Sequence, residues 1–423
     1  MFLLIKKIYK MVSVKERKIV LENAISLSTL QGINYILPLI ILPYLIRVIG
    51  PEKFGLIAFA QAFVQYFMIL TDYGFSVLAT REISLCRGQK DRLSAIFSSV
   101  MTVKIILTIV SFLILFFTVS FIPKFKNDWL VYPLSFGAVV CNALFPIWFF
   151  MGIEKMEYIS RLNILAGIVY LLGIFIFVKS PADYLCIPLF NSLVFLLTGI
   201  LGLYIVFKKF KVGFVFPGYR QTWQQLKEGW DIFSSIVAIN AYTATRVFAV
   251  GLLTNNTLTG YYSIAERIAN VIQTFPLISF SQAIYPRLSK IFQKNKKKAF
   301  NLMYRIQHVT TIGFTISLPV IFLLSPLLIK VICGIEYKEV ILALRLLLLS
   351  VFFVGANAYK VQFLLVRERE DIYAKIHVAA ALVGLPLIFI LIYLFSYVGA
   401  ALATVITEAG IFVVTFQIIK NLI

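Results

Sequence analysis

Apolar residues run along this chain in long blocks, broken at short intervals by Gly, Pro or clusters of Lys and Arg. An α-helix needs about 20 apolar residues to cross a hydrocarbon core. Reading windows of that length against the breakers predicts twelve transmembrane helices, at roughly 24–46, 55–77, 94–121, 130–152, 162–179, 184–207, 231–253, 259–286, 302–329, 340–366, 374–395 and 398–419. Several of these carry polar residues at helical spacing. In the eighth, Ser263, Glu266, Asn270 and Gln273 recur at i, i+3, i+7 and i+10, with Arg267 beside them. Gln61, Gln65 and Asp72 follow one face of the second, and Asn240, Thr243 and Arg246 form a slightly drifting stripe in the seventh. A period of 3.6 gathers each set on one side of its helix, and lipid cannot satisfy such groups. The stripes are therefore expected to face protein or a water-filled cavity.

Composition fits that reading. Of 423 residues 60% are hydrophobic and 14% charged, with a mean hydropathy of +0.91, whereas a soluble domain carries about 25% charged residues. The fold class is an all-α polytopic membrane protein. Cys86, Cys141, Cys186 and Cys333 are too far apart in sequence for a CxxC metal or redox pair, and two histidines are too few for a His-based metal centre. No metal and no resident cofactor are expected. No small-residue cleavage site closes the first long apolar run, so a cleaved signal peptide is not expected either.

A net charge of +21 would suggest nucleic acid in a soluble chain. Its distribution gives a different cause. With the N-terminus taken as cytoplasmic, the inner segments hold 28 Lys and Arg and the outer ones 7, which is the positive-inside bias. Both termini are then cytoplasmic, and the basic run at 294–298 reads as a solvated loop rather than a nucleic-acid patch. The outer loops are all short, which opposes a membrane-embedded glycan polymerase.

The longest internal connection, 208–230, is basic and carries Pro217, Trp223 and Trp230. It divides the chain into an N-terminal lobe, 1–207 with spans one to six, and a C-terminal lobe, 231–423 with spans seven to twelve. A shift of 205 places Gly55 on Gly260, Ala60 on Ala265, Gln61 on Glu266 and Gln65 on Asn270. Six spans per half make these parallel repeats, and a two-lobe repeat without a pore-loop signature argues against a channel.

Five basic residues lie inside predicted spans: Lys104, Arg246, Arg267, Arg345 and Lys360. A charge at mid-bilayer costs about 2.5–3.5 kcal/mol on insertion scales. Lys104, Arg345 and Lys360 lie close enough to span ends to snorkel. Arg246 and Arg267 are deeper, and two readings stay open for them: a structural ion pair with Glu266, or a cationic cavity that accepts an anionic solute. The substrate-binding candidates for such a cavity are Arg246, Arg267, Lys360, Arg345, Asn240, Asn270, Gln273, Gln61 and Gln65. Glu266, Asp72 and Glu408 are the acids available to carry a coupling H⁺ or Na⁺, with structural pairing the alternative for each.

The stretch Gln31–Pro38 followed by Leu42–Gly55, with Asp72-Tyr-Gly-Phe75, Thr80–Ser84 and Trp148–Lys155, resembles the opening of the O-antigen flippase (Wzx) family. Gly260-Tyr-Tyr-Ser-Ile-Ala-Glu-Arg-Ile268 is similar to that family's second-lobe segment. The resemblance covers the whole chain. It implies membership of the multidrug/oligosaccharidyl-lipid/polysaccharide exporter superfamily, a MATE-like arrangement of twelve helices in two six-helix lobes, and no enzymatic chemistry. It further implies movement of undecaprenyl-pyrophosphate-linked repeat units from the cytoplasmic to the periplasmic leaflet of the inner membrane. Membrane lipids, a polysaccharide polymerase and a chain-length regulator would be its partners, with no role for nucleic acid. The expected mechanism is alternating access, with kinks at Pro38, Pro43 and Pro276 and with Arg holding the pyrophosphate. The nearest rival is a drug or cation antiporter of the same superfamily. A peptidoglycan-precursor flippase shares the pyrophosphate but is expected to carry further helices.

Overall fold

The computed structural model describes residues 14–367 and 369–422, with the side chains of 14–36, 238–239, 241, 275, 278–290, 293–294, 296–297, 362, 365–366, 370 and 421–422 set aside. Among the described residues every regular element is helical. They are α1 (Val14–Asp72), α2 (Phe75–Leu85), α3 (Lys90–Phe121), α4 (Pro123–Lys126), α5 (Val131–Leu144), α6 (Ile147–Gly152), α7 (Met156–Phe177) and α8 (Cys186–Lys208). After a basic connection come α9 (Tyr219–Leu253), α10 (Asn256–Lys294), α11 (Lys296–Cys333), α12 (Lys338–Gly355), α13 (Ala358–Val366), α14 (Glu370–Phe395) and α15 (Tyr397–Leu422). Among the described residues eight stretches are long and apolar enough to cross a membrane, and a bent pair at Tyr219–Val237 and Tyr242–Leu253 would make nine. The chain is a multi-pass α-helical membrane protein.

Two compact units emerge, one formed by the segment up to Ile41 with Val64–Ser234, the other by Leu42–Phe63 with Ser235–Ile423. The core of the first is aromatic: Phe75, Phe97, Trp148, Phe149 and Phe150 are all fully buried. Helices α5 and α8 approach closely through small residues, where Ser192 Oγ packs at Gly137 and donates to the Leu134 carbonyl. Small residues let helix backbones come together where lipid supplies no hydrophobic drive. The connection after α8 is tied down by α3, since the Gly213 and Val215 amides donate to Ser94 Oγ and Ser98 Oγ at 3.0 and 2.9 Å. Lys104 is only 1% exposed and faces Asp72 at 3.7 Å. It is an internal counter-charge, not the snorkelling lysine expected from its place near a span end.

In the second unit, Leu42–Phe63 lies against α9 and α10. Phe59 and Phe63 stack on Phe248 with centroids 5.4 and 5.7 Å apart. Gly55 and Gly260, which the internal repeat puts in register, touch one another. A Cβ at Gly55 would collide with the Asn256 carbonyl, and one at Gly260 with that of Pro51. Arg47 donates to the carbonyls of Val331 and Ile332, placing a cation at the C-terminal end of α11, where the helix dipole favours it. Helices α14 and α15 pair closely, and α12 packs against α10, α11 and α15.

The non-helical backbone in α1 falls at Gly50 (φ 72, ψ 170) rather than at Pro38 or Pro43. That region is open to glycine alone and costs any other residue about 1–3 kcal/mol. Nothing lies within 4 Å of where a Cβ at Gly50 would sit, so the backbone conformation is the whole constraint. Gly50→Ala is therefore expected to lower stability by about 1–3 kcal/mol, read by thermal unfolding of the purified protein, with a larger side chain costing little more than alanine.

Candidate functional site

Within the second unit, helices α9, α10, α12, α13, α14 and α15 line an open cavity of about 580 Å³. Its position follows from the period of α10. Glu266, Asn270 and Gln273 stand on one face, and that face forms one wall. Ser263, the first member of the same stripe, is buried. Arg246 reaches in from α9 and Glu408 from α15.

Arg246 is the centre of the charge arrangement. Its Nη1 lies 3.7 Å from Glu266 Oε1 and its Nη2 lies 3.6 Å from Glu408 Oε1. The three side chains are 12%, 15% and 13% exposed. Both separations are longer than the 2.7–2.9 Å of a charge-assisted hydrogen bond, and Arg246 Nε is buried without a hydrogen-bond partner. Tyr242 lies one turn before it, with the guanidinium 5.7 Å from the ring centroid. The arrangement sets one guanidinium against two carboxyl groups and leaves hydrogen-bonding capacity on all three.

The remaining wall is polar in a way that no single stripe announces. Tyr242, Thr243, Asn357, Tyr359, His377 and Thr404 come from four helices and, for Asn357, from the turn between α12 and α13. Asn357 donates to Thr415 Oγ1 at 3.3 Å, while its Oδ1 is buried without a partner. His377 Nδ1 lies 2.9 Å from the Tyr373 carbonyl, which fixes the ring against its own helix.

Other candidates from the sequence lie elsewhere. One position beyond Glu266, the helix has turned by about 100°, and Arg267 leaves the cavity wall. Its Nη2 donates to Gln61 Oε1 at 2.9 Å and its guanidinium lies 5.0 Å from the Phe54 centroid. Gln65 is exposed and belongs to the first unit. Asp72, also in the first unit, accepts from Ser76 Oγ at 2.7 Å as well as facing Lys104. Asn240 donates back to the Ile236 carbonyl at 2.8 Å. Arg345 donates to Ser325 Oγ at 3.0 Å and lies over Phe322. Lys360 is set between Phe412 and Phe416, at 4.3 and 5.0 Å. Of the four basic candidates, Arg246 alone is among the cavity-lining residues, together with two carboxylates. The wall is thus not the cationic surface expected from the sequence, because the neighbours of each other base are internal polar groups and aromatic rings.

Known proteins bear on this arrangement at two levels. A family model described as polysaccharide biosynthesis protein matches residues 20–292. The chain belongs to the polysaccharide biosynthesis protein family. A relative from Escherichia coli (strain K12) named "Putative O-antigen transporter" is 31% identical over 402 residues, covering 95% of this chain and 96% of its own. One of the same name from Shigella dysenteriae is 26% identical and covers 94% of this chain and all of its own. Among solved structures, the lipid II flippase MurJ in an inward closed conformation superposes with a TM-score of 0.73 at 14% identity, over 93% of this chain and 87% of that one. An inward-facing MATE family transporter of the MOP superfamily gives 0.72 at 13% identity, over 91% and 95%. This member of the polysaccharide biosynthesis family therefore has the fold of those two proteins, as the resemblance implied.

Removing one member of a buried ion pair strands its partners, at about 3–5 kcal/mol. Arg246→Met is expected to lower stability by about that amount, and Glu266→Gln with Glu408→Gln in the same chain to restore much of it. Thermal unfolding of the three proteins in one detergent checks this; a loss that the double replacement does not relieve would point to packing instead.

Proposed function

We propose that this chain is a flippase that carries undecaprenyl-pyrophosphate-linked oligosaccharide repeat units from the cytoplasmic to the periplasmic leaflet of the inner membrane. The family and the names of its relatives support transport of a polysaccharide precursor, and no covalent chemistry is assigned to the chain. The observation that carries the reading is the polar cavity itself. An apolar helical unit has no structural use for a hollow of about 580 Å³ walled by amides, hydroxyls and a charged triad, since each such group costs free energy unless partnered. A cargo rich in hydroxyls would supply the partners.

Twelve spans, with both termini cytoplasmic, belong to this proposal. The apolar stretches Leu37–Leu85 and Asp371–Lys420 are 49 and 50 residues long, about twice what one crossing needs. Counting each as two, and adding the bent pair and α10, brings the number to twelve. The mechanism would be alternating access, with the lobes 1–207 and 231–423 rocking about their connection. A polysaccharide polymerase and a chain-length regulator would receive the product. Coupling would draw on H⁺ or Na⁺ through Glu266, Glu408 or Asp72. Collapsing the cation gradient in liposomes is then expected to slow flipping, and unchanged flipping would remove the coupling.

Drug or cation antiport is the second reading, favoured by the two carboxylates in the cavity. Deleting the gene separates the two. The flippase reading expects lipid-linked oligosaccharide to accumulate on the cytoplasmic face and surface polysaccharide to disappear. Arg246→Lys, which keeps the charge but loses the planar fork, is expected to restore little display at normal membrane levels. A deletion strain with full surface polysaccharide and raised sensitivity to organic cations would decide for the antiporter.

A further inference from the structure

The charges around Arg246 narrow what the cavity can hold. A guanidinium alone in a membrane protein suits a phosphate, but here two carboxylate oxygens lie within 3.7 Å of it. Its guanidinium therefore already faces two acidic side chains that line the same cavity. A diphosphate brought there would have to compete with both for the one guanidinium, and would lie within a few ångströms of their oxygens. An organic cation as cargo fares no better. Arg246 lies between the two carboxylates, so an organic cation close enough to bridge them would face the guanidinium. Among the described residues no group of three or more His, Cys, Asp or Glu is arranged to hold a metal ion.

What both charge signs leave is a neutral group that donates and accepts at once. A hydroxyl has one donor and two acceptor lone pairs. Adjacent ring hydroxyls of a sugar could accept from the guanidinium while donating to the carboxylates, using the capacity that the long 3.6 and 3.7 Å separations leave open. Arg246 Nε, buried and without a partner, marks the same unmet demand. Asn270 and Gln273 extend the polar wall along α10, each able both to donate and to accept. Tyr242 supplies an aromatic ring at the edge of the triad, of use against the C–H face of a pyranose.

We infer that Arg246, Glu266 and Glu408 form a glycan subsite that reads ring hydroxyls of the repeat unit, and that the diphosphate of the carrier lipid is held elsewhere. This deepens the flippase reading and rests on it. It changes the role of the buried arginine from phosphate anchor to one corner of a sugar-recognition triad, with specificity for the cargo carried by the two carboxylates.

The test uses the full-length protein in lipid nanodiscs and two probes. One is the delipidated, phosphate-free repeat-unit oligosaccharide released from the host's own surface polysaccharide. The other is undecaprenyl pyrophosphate bearing no sugar. Wild-type protein is expected to bind both. Glu408→Gln should weaken the oligosaccharide by about tenfold, since one charge-assisted hydrogen bond is lost, and should leave the sugar-free lipid within about twofold. Gln273→Ala, a change at the far end of the wall, serves as a second variant should Glu408→Gln fold poorly, with a smaller loss in the same direction. Wild-type protein that binds the sugar-free lipid but not the oligosaccharide overturns the subsite and leaves the flippase reading standing. So does a Glu408→Gln protein that binds the sugar-free lipid more tightly with its oligosaccharide affinity unchanged, which would make the triad a diphosphate site. Tetraphenylphosphonium bound by wild-type protein in place of both probes would overturn the subsite and the flippase reading together.

Discussion

Hydrocarbon offers no hydrogen bonds, so every polar group placed within it must be answered by protein. That requirement organises the second unit. Arg246 is answered by two carboxylates, Arg267 by Gln61 and the ring of Phe54, Arg345 by Ser325 and Phe322. Lys360 takes a different solution, with its ammonium over the faces of Phe412 and Phe416, where ring quadrupoles attract a cation even at a desolvated site. In the first unit Lys104 takes Asp72 as its counter-charge. Five bases thus find five separate local settlements, and the hollow forms around the one that meets two carboxylates.

This explains which parts of the molecule could be read along the chain. Periodicity gave the helical class and the wall of α10, because 3.6-residue spacing is a property of one segment and needs no partner to be seen. Glu266, Asn270 and Gln273 share a face for that reason alone. Pairing is different. Whether Arg246 meets Glu266, Glu408 or a ligand depends on how α9, α10 and α15 pack, and no local pattern encodes that. Arg267 illustrates the point: adjacent to Glu266 in sequence, it is rotated onto another surface. Asn357, Tyr359, His377 and Thr404 belong to no polar stripe at helical spacing, Asn357 standing in a turn and the others on three different helices, so periodicity does not single them out. Lys104 was misplaced for a related reason, since nearness to a span end permits snorkelling but does not compel it.

The composition of the cavity also separates two ideas that sequence tends to merge. A buried arginine and an anionic cargo invite direct pairing, yet Arg246 already faces two carboxyl groups of the protein itself. The family's fold accommodates several cargo chemistries, as its likeness to both a lipid II flippase and a multidrug transporter illustrates, and differences of this kind reside in side chains rather than in helix arrangement.

The contact between Gly55 and Gly260 bears on all of this from a distance. Glu266 lies six residues beyond Gly260, about 9 Å along the helix axis at 1.5 Å per residue. Where two backbones meet with only hydrogen atoms between them, the crossing has almost no slack, and α10 is indexed to the Pro51–Gly55 stretch of α1 with a tolerance smaller than a methyl group. The depth and rotation at which its carboxylate presents itself are therefore gauged by two residues that possess no side chains.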